Sequence, residues 1–131
     1  MAIREDEAVI QQAIVIAFNN KFCLKHQNPR LIIHSIPNGI TADSLPPKER
    51  GKVLDKMNKT GMLPGAADLN IKGVLGRVLE VEVKTSTGSQ SPEQVDYQKR
   101  ITELGGHYIL VRSVDDFLLK INPFLDWLLG K

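Results

Sequence analysis

The stretch TGMLPGAADLNIKGVLGRVLEVEVK, residues 60–84, decides how the chain is read. Gly61-Met62-Leu63-Pro64-Gly65-Ala66 is a loop that delivers Asp68 at the start of an apolar strand. A turn at Gly73 and Gly76 follows, and then a second strand, Arg77 to Lys84, that ends in Glu82-Val83-Lys84. Side chains alternate across a strand with period two, so Glu82 and Lys84 are expected on one face and Val81 and Val83 on the other. If the two strands pair as a hairpin, Asp68 meets Glu82 and Lys84 at one end of it.

Two carboxylates and an ammonium gathered in this way are the parts of a divalent-metal phosphodiesterase site. Magnesium prefers oxygen ligands in octahedral geometry at ~2.0–2.1 Å, commonly one or two carboxylates with waters and phosphate oxygens. Such an ion lowers the pKa of a bound water and neutralises charge on the phosphate, while a neighbouring lysine holds the water or a phosphate oxygen. Without a cation, two close carboxylates repel and push one pKa up. The bland alternative is a surface hairpin in which Glu82 and Lys84 form an ordinary ion pair and Asp68 caps a turn. Acid-x-base alone favours that alternative. The Pro64-Gly65-x-x-Asp68 spacing upstream and a Gln-containing helix downstream favour the site.

At 131 residues the chain is expected to be one domain, large enough to bury a real core. Its apolar share of 42% and charged share of 24% are those of an ordinary globular protein, which argues against a disordered or membrane-embedded chain. A net charge of +2 is too small to declare a nucleic-acid partner, so any basic surface must be local. Cys23 is the only cysteine, which excludes an intrachain disulfide and a Cys-based zinc site. No apolar run approaches the ~18 residues of a membrane span, and the first six residues do not resemble a signal peptide. The expected location is cytoplasmic, in a reducing compartment.

Outward from the central stretch, Glu5 to Phe22 reads as a helix, with Val9, Ile10, Ala13, Ile14, Ala17 and Phe18 at helical spacing. Its apolar stripe is core, and Glu7 borders it. Asn28-Pro29 ends the connection, Arg30 to Ile36 reads as a strand containing His34, and Pro37-Asn38-Gly39 marks a turn. Downstream, Ser91-Pro92-Glu93 opens a helix to about Leu104, with Ser91 as N-cap and Gln94, Tyr97 and Gln98 on one side. Gly105-Gly106 ends it. His107 to Val111 forms a short buried strand, Tyr108-Ile109-Leu110-Val111. A final helical region, capped by Ser113 and broken at Pro123, carries Phe117, Leu118, Ile121, Phe124, Leu125, Trp127 and Leu128 onto the core or a second subunit.

Residues 41–59 are the most basic stretch. Leu45-Pro46-Pro47 introduces a helix on which Lys48, Arg50, Lys52, Lys56 and Lys59 face only Glu49 and Asp55, a surplus of three positive charges. A solvated helix face explains this as an ordinary surface. A phosphate-backbone contact explains it as the sequence-independent, salt-dependent part of nucleic-acid binding. Aromatic residues are only 5% of the chain, so base stacking on a single strand is disfavoured.

The resulting order is helix, strand, basic helix, strand, strand, helix, strand, helix, an α/β arrangement with a mixed sheet. With these pieces in place the chain resembles the VRR-NUC domain of the PD-(D/E)xK nuclease superfamily, in its stand-alone phage-like form. The resemblance rests on Glu7, on His34 with Pro37-Asn38-Gly39, on the basic helix, on Gly61 through Leu69, on Glu82-Val83-Lys84 and on Ser91-Pro92-Glu93-Gln94. It covers the chain from the first helix through Val111. Ala67 stands where the superfamily motif has proline, a position that shapes the strand and supplies no ligand.

That resemblance implies a restriction-endonuclease-like core and a single VRR-NUC-type nuclease domain over residues 1–131. It implies Asp68 and Glu82 as ligands of Mg2+ or Mn2+, with the Val83 carbonyl, and Glu7 through water or on a second ion. Lys84 would orient the nucleophilic water or stabilise charge on the phosphate, and Gln94 would brace Lys84 or the scissile phosphate. Lys48, Arg50, Lys52, Lys56, His34 and Asn38 are the candidate DNA contacts. No organic cofactor and no membrane partner are expected. Glu80, two residues before Glu82 on the same face, is a lesser metal candidate; Tyr97 either lines the site or packs in the core; His26, His107 and Cys23 are structural. The implied activity is in-line hydrolysis of a DNA phosphodiester by a structure-specific endonuclease, with branched DNA, above all four-way junctions, cut by a symmetric homodimer. Two rivals remain: a catalytically inactive DNA-binding or partner-recruiting module on the same fold, and a sequence-specific restriction-type endonuclease. The intact Asp/Glu/Lys set speaks against the first, and the lack of parts to read the major groove against the second.

Overall fold

The structure is a computed structural model that describes residues 6–24, 31–36, 47–59, 61 and 63–131. Glu5, His26, Asn28-Pro29, Arg30, Pro37-Asn38-Gly39, residues 41–46, Thr60 and Met62 lie outside the described residues, as does the side chain of Arg50. The candidate contact at Asn38 therefore has no structural account.

The chain folds in the order α1 (Glu7–Phe18), β1 (Ile32–Ser35), α2 (Pro47–Lys59), β2 (Leu69–Lys72), β3 (Val78–Val83), α3 (Pro92–Glu103), β4 (His107–Val111) and α4 (Val114–Leu129). The four strands lie side by side in sequence order. β1–β2 and β2–β3 are antiparallel, and β3–β4 is parallel. A parallel neighbour needs a long crossover, which α3 supplies. The sheet is mixed and flanked by helices, as the order of elements predicts.

One face of the sheet makes the core. Leu69, Ile71, Leu79, Val81, Val83 and Val111 are fully buried there with Ile14 and Phe18 of α1 and Phe117, Ile121 and Leu128 of α4. Phe18 packs edge-on against Phe117 at 6.2 Å between ring centroids. Full burial of each such side chain is worth about 1.5–3 kcal/mol, so this layer supplies the main driving force for the fold. The opposite face carries Glu80 and Tyr108 as paired neighbours on β3 and β4, and α3 lies over it.

Local signals set the element ends. Asp6 caps α1 by accepting from the Ala8 N–H at 2.9 Å. The α-helix stops at Phe18, short of the expected Phe22, but the chain continues as a π-helical turn, Asn19–Leu24, that keeps Phe22 at 5.3 Å from Phe18. The hairpin between β2 and β3 turns through Gly76 and Leu75, both with positive φ. Gly73 is required there for a different reason: a Cβ would stand 2.3 Å from the Leu128 carbonyl oxygen at the end of α4.

The last helix departs from expectation. Pro123 does not break it, and α4 runs unbroken from Val114 to Leu129. A proline inside a helix costs ~3 kcal/mol because it removes one backbone bond and crowds the carbonyl four residues back. That carbonyl belongs to Leu119, which is 74% exposed, while Phe117 and Ile121 before the proline and Leu128 after it are fully buried. Burial on both sides of Pro123 outweighs the local cost.

Candidate metal centre

Asp68 immediately precedes β2, and Glu82 is the last residue but one of β3. The antiparallel register pairs Leu69 with Val81, which sets Asp68 beside Glu82. Asp68 Oδ2 accepts from the Val83 N–H at 2.7 Å, and its carboxyl shares a hydrogen bond with that of Glu82. The two acids are therefore in contact, as the hairpin reading predicts.

Glu82 is fully buried. Gln94 Nε2 donates to its Oε1 at 3.0 Å and the Tyr108 hydroxyl donates to its Oε2 at 3.1 Å. Burial is the largest influence on its acidity, followed by the hydrogen bond and charge of Asp68; together they push its pKa up to about 9. The Tyr108 hydrogen bond and the charge of Lys84 pull the other way and are outweighed. At neutral pH Glu82 accordingly holds a proton against Asp68, the expected state of two carboxyls sharing a buried site.

The helix that reaches Glu82 is positioned by its own cap. Ser91 Oγ accepts from the Gln94 N–H at 3.2 Å, and Gln94 Oε1 accepts from the Ser91 N–H at 2.8 Å, a reciprocal capping box. Gln94 thus uses its oxygen to close the helix and its nitrogen to hold Glu82. The sequence reading sent its amide to Lys84 or a phosphate; in the structure the partner is Glu82. The Pro64-Gly65 loop docks onto the same helix end. Gly65 has φ +84°, and a Cβ there would stand 2.3 Å from the Glu93 carbonyl oxygen. Only glycine lets the loop that carries Asp68 lie this close to the helix that carries Gln94.

Lys84 is nearly buried, and its N–H donates to the Val111 carbonyl at 3.0 Å, which keeps the chain on β4 beyond the end of β3. Its ammonium lies 3.7 Å from Glu7 Oε1 at the start of α1. Glu7 thus joins the site through Lys84. Among the described residues no group of three or more His, Cys, Asp or Glu side chains is placed to hold a metal ion. The carboxylate pair is Asp68 and Glu82.

The other candidates fall elsewhere. Glu80 accepts a hydrogen bond from the Tyr97 hydroxyl, which accounts for both residues, and burial with that carboxylate raises the Tyr97 pKa. His34 pairs with Asn70 across β1 and β2, contacts the Ser35 carbonyl through Nδ1 at 3.1 Å, and has a buried Nε2 with no partner among the described residues. None of its described contacts is with Asp68, Glu82 or Lys84. His107 sits edge-on to Trp127 at 4.5 Å, and the Cys23 thiol, raised in pKa by burial, donates to the Leu31 carbonyl. On α2, Lys48, Lys52 and Lys56 are exposed, and Lys59 pairs with Asp55 at 2.9 Å.

Two contributors escaped the sequence reading. Tyr108 holds Glu82, and Gln90 supports Tyr108 by donating to its hydroxyl oxygen at 3.1 Å while also bonding Gln98. The available signal was a tyrosine inside a buried strand, since a buried phenol requires a partner.

This arrangement has a counterpart among solved structures. A structure described as a VRR_NUC domain protein superposes with a TM-score of 0.68 at 17% identity, covering 95% of this chain and 92% of its own. The fold is VRR-NUC-like. No family model matches the sequence, and neither does any curated protein. The similarity is therefore carried by the architecture.

Proposed function

We propose that this chain is a metal-dependent, structure-specific DNA endonuclease that hydrolyses phosphodiester bonds in branched DNA, with four-way junctions as the leading substrate. The observation that carries the reading is the buried Glu82 carboxyl held against Asp68 by Gln94 and Tyr108, with the charge of Lys84 acting on it. A buried acid that keeps its proton costs the fold stability at neutral pH, so an interior site of this kind calls for a cation in place of that proton.

The donor set fits Mg2+ or Mn2+. It offers hard carboxylate oxygens from Asp68 and Glu82, with the Val83 carbonyl as the adjacent backbone ligand, and leaves the remaining positions to water and phosphate. When bound, the ion supplies Lewis acidity and an activated water. The protein's own residues do the rest. Gln94 and Tyr108 fix the rotamer of Glu82, the Val83 N–H fixes Asp68, and Glu7 draws the Lys84 ammonium to one side of the pair. Lys84 orients the attacking water or holds a phosphate oxygen, and the proton lost by the water passes to solvent. Glu7 would act through Lys84, or reach the ion through water. Lys48, Arg50, Lys52, Lys56, His34 and Asn38 are the candidate DNA contacts, with lysines tracking phosphates without reading bases. A homodimer presents two such sites to the two strands of a junction.

The test is cleavage of labelled junction, flap, duplex and single-stranded DNA with Mg2+ or Mn2+, wild type beside Lys84→Ala. Metal-dependent cutting of the junction by the wild type and its loss in the variant are expected. Equal cutting by the variant rejects the assigned chemistry, and binding without any cutting favours the inactive-module reading.

A further inference from the structure

The segment after Lys84, Thr85-Ser86-Thr87-Gly88-Ser89, contains no apolar residue that could anchor it to the core. It is nevertheless ordered into a turn. The Gly88 N–H donates to Thr85 Oγ1 at 3.1 Å and to the Thr85 carbonyl at 3.3 Å. The turn is gripped from outside by one side chain. Arg112 Nη1 donates to the Thr85 carbonyl at 2.7 Å and to the Gly88 carbonyl at 2.6 Å.

Arg112 is half-buried, and among the described residues no carboxylate pairs with its guanidinium. Asp116, four residues on, is engaged by the Arg112 N–H at 2.9 Å and by Lys120 at 3.2 Å. The arginine's charge is thus committed to two backbone dipoles, both bonded by the one nitrogen Nη1. The turn it holds runs beside the catalytic candidate: a Cβ added at Gly88 would come to 3.7 Å from Lys84 Cδ. The strand that carries Arg112 also binds the Lys84 backbone, through the Val111 carbonyl. Residue 111 therefore holds the main chain of Lys84, and residue 112 holds the turn that runs beside its stem.

We propose that Arg112 is a positioning residue: by clasping the Thr85 and Gly88 carbonyls it holds the turn after β3 beside the stem of Lys84 and so fixes the ammonium where it stands, at Glu7. The task assigned to that ammonium rests on the nuclease reading above; its immobilisation does not. Displacement of a catalytic group by ~1 Å costs about 10²-fold in rate, so loosening the turn is expected to act on turnover more than on DNA binding.

The experiment compares Arg112→Ala, Arg112→Lys and Thr85→Val with wild type. For each, kcat and KM are measured on junction DNA with Mg2+, and the Lys84 side-chain ammonium resonance is followed by 13C/15N NMR. The expected result is a fall in kcat of about 10- to 100-fold for Arg112→Ala, and a smaller fall for Arg112→Lys, whose shorter stem carries an ammonium in place of the planar guanidinium, with KM within about twofold for both. Thr85→Val should give a smaller loss in the same direction, and millimolar guanidinium should restore part of the turnover of Arg112→Ala. The Lys84 resonance should move toward those of the exposed lysines. An unmoved resonance overturns the proposal, as does unchanged kcat, or a rise in KM alone, which would make Arg112 a DNA contact. If Arg112→Ala does not fold, the lysine and valine variants decide by the same criteria. If the wild type cuts no DNA, the NMR comparison alone decides: a shifted Lys84 resonance sustains the positioning role while the nuclease reading falls.

Discussion

A Glu82→Gln exchange leaves the shape of the site almost unchanged and removes its ionisable proton. The amide N–H can donate to Asp68 as the protonated acid does, and the amide oxygen can accept from Gln94. The Tyr108 hydroxyl, a donor in the wild type, can rotate to accept. The energetic consequence follows from linkage. Burial and the neighbouring Asp68 raise the folded pKa of Glu82 from an ordinary 4.5 to about 9. Its contribution is fully present below the unfolded value and is lost as pH rises toward the folded one, because in that window the unfolded chain releases a proton that the fold retains. At ~1.4 kcal/mol per pH unit, the wild type in chelator has lost about 3 kcal/mol by pH 7 relative to acid conditions. The variant carries no such loss. In EDTA it is expected to melt roughly 10 °C above wild type at neutral pH, and at about the same temperature near pH 4.5. Added Mg2+ should raise the melting temperature of the wild type and leave the variant unmoved, while the variant loses cleavage. Thermal melts across pH, with and without metal, test all three statements. A variant less stable than wild type at every pH, or an unchanged pH slope, would refute the shared-proton account of the site.

Four further outcomes follow from the same geometry. Tyr108→Phe removes the hydrogen bond that lowers the Glu82 pKa, so the Mg2+ concentration for half-maximal cleavage should rise several-fold, together with a stability loss of about 1–2 kcal/mol in chemical denaturation. Gly65→Ala sets a Cβ 2.3 Å from the Glu93 carbonyl oxygen at a positive φ; a loss of at least ~2 kcal/mol in urea unfolding is expected, and a neutral result would mean that the loop does not dock on α3 as described. Lys48→Ala and Lys52→Ala should weaken binding to all DNA sequences alike and each lower the salt slope by about one, read by fluorescence anisotropy at several salt concentrations. An unchanged slope would remove α2 from the interface. Gln94→Ala removes both the cap acceptor and the Glu82 donor, so it should cost more stability than Ser91→Ala, which removes only the reciprocal cap.

The elements were legible where local chemistry agreed with tertiary demand. Asp6, Ser91 and Ser113 cap their helices as their residue types suggest, and Gly105 and Gly130 take the positive φ that helix ends favour. The hairpin from Asp68 to Lys84 was legible because one turn joins two runs of suitable pattern, so that register follows from the turn itself. Pro123 misled because a local rule predicts a break wherever proline stands in a helix, and only the burial of Phe117, Ile121 and Leu128 on both sides shows that the break is overruled.

The candidate site was legible in its charged members and illegible in their support. Asp68, Glu82 and Lys84 announce themselves by type and spacing within one hairpin. Tyr108 and Arg112 lie 26 and 28 positions beyond Glu82 and Lys84, respectively, and enter through the parallel pairing of β4 with β3, a contact that no local pattern encodes. The same crossover decides the identity of Gln94's partner. Once α3 must carry the chain back to start β4, its first turn is brought over the C-terminal half of β3, and the side chain of Gln94 meets Glu82 before it can reach Lys84. A capping glutamine whose nitrogen is left over from the cap is thereby converted into the donor that holds a buried acid in place. The position of the helix and the rotamer of Glu82 are set by one residue, so a change that frees either should disturb both.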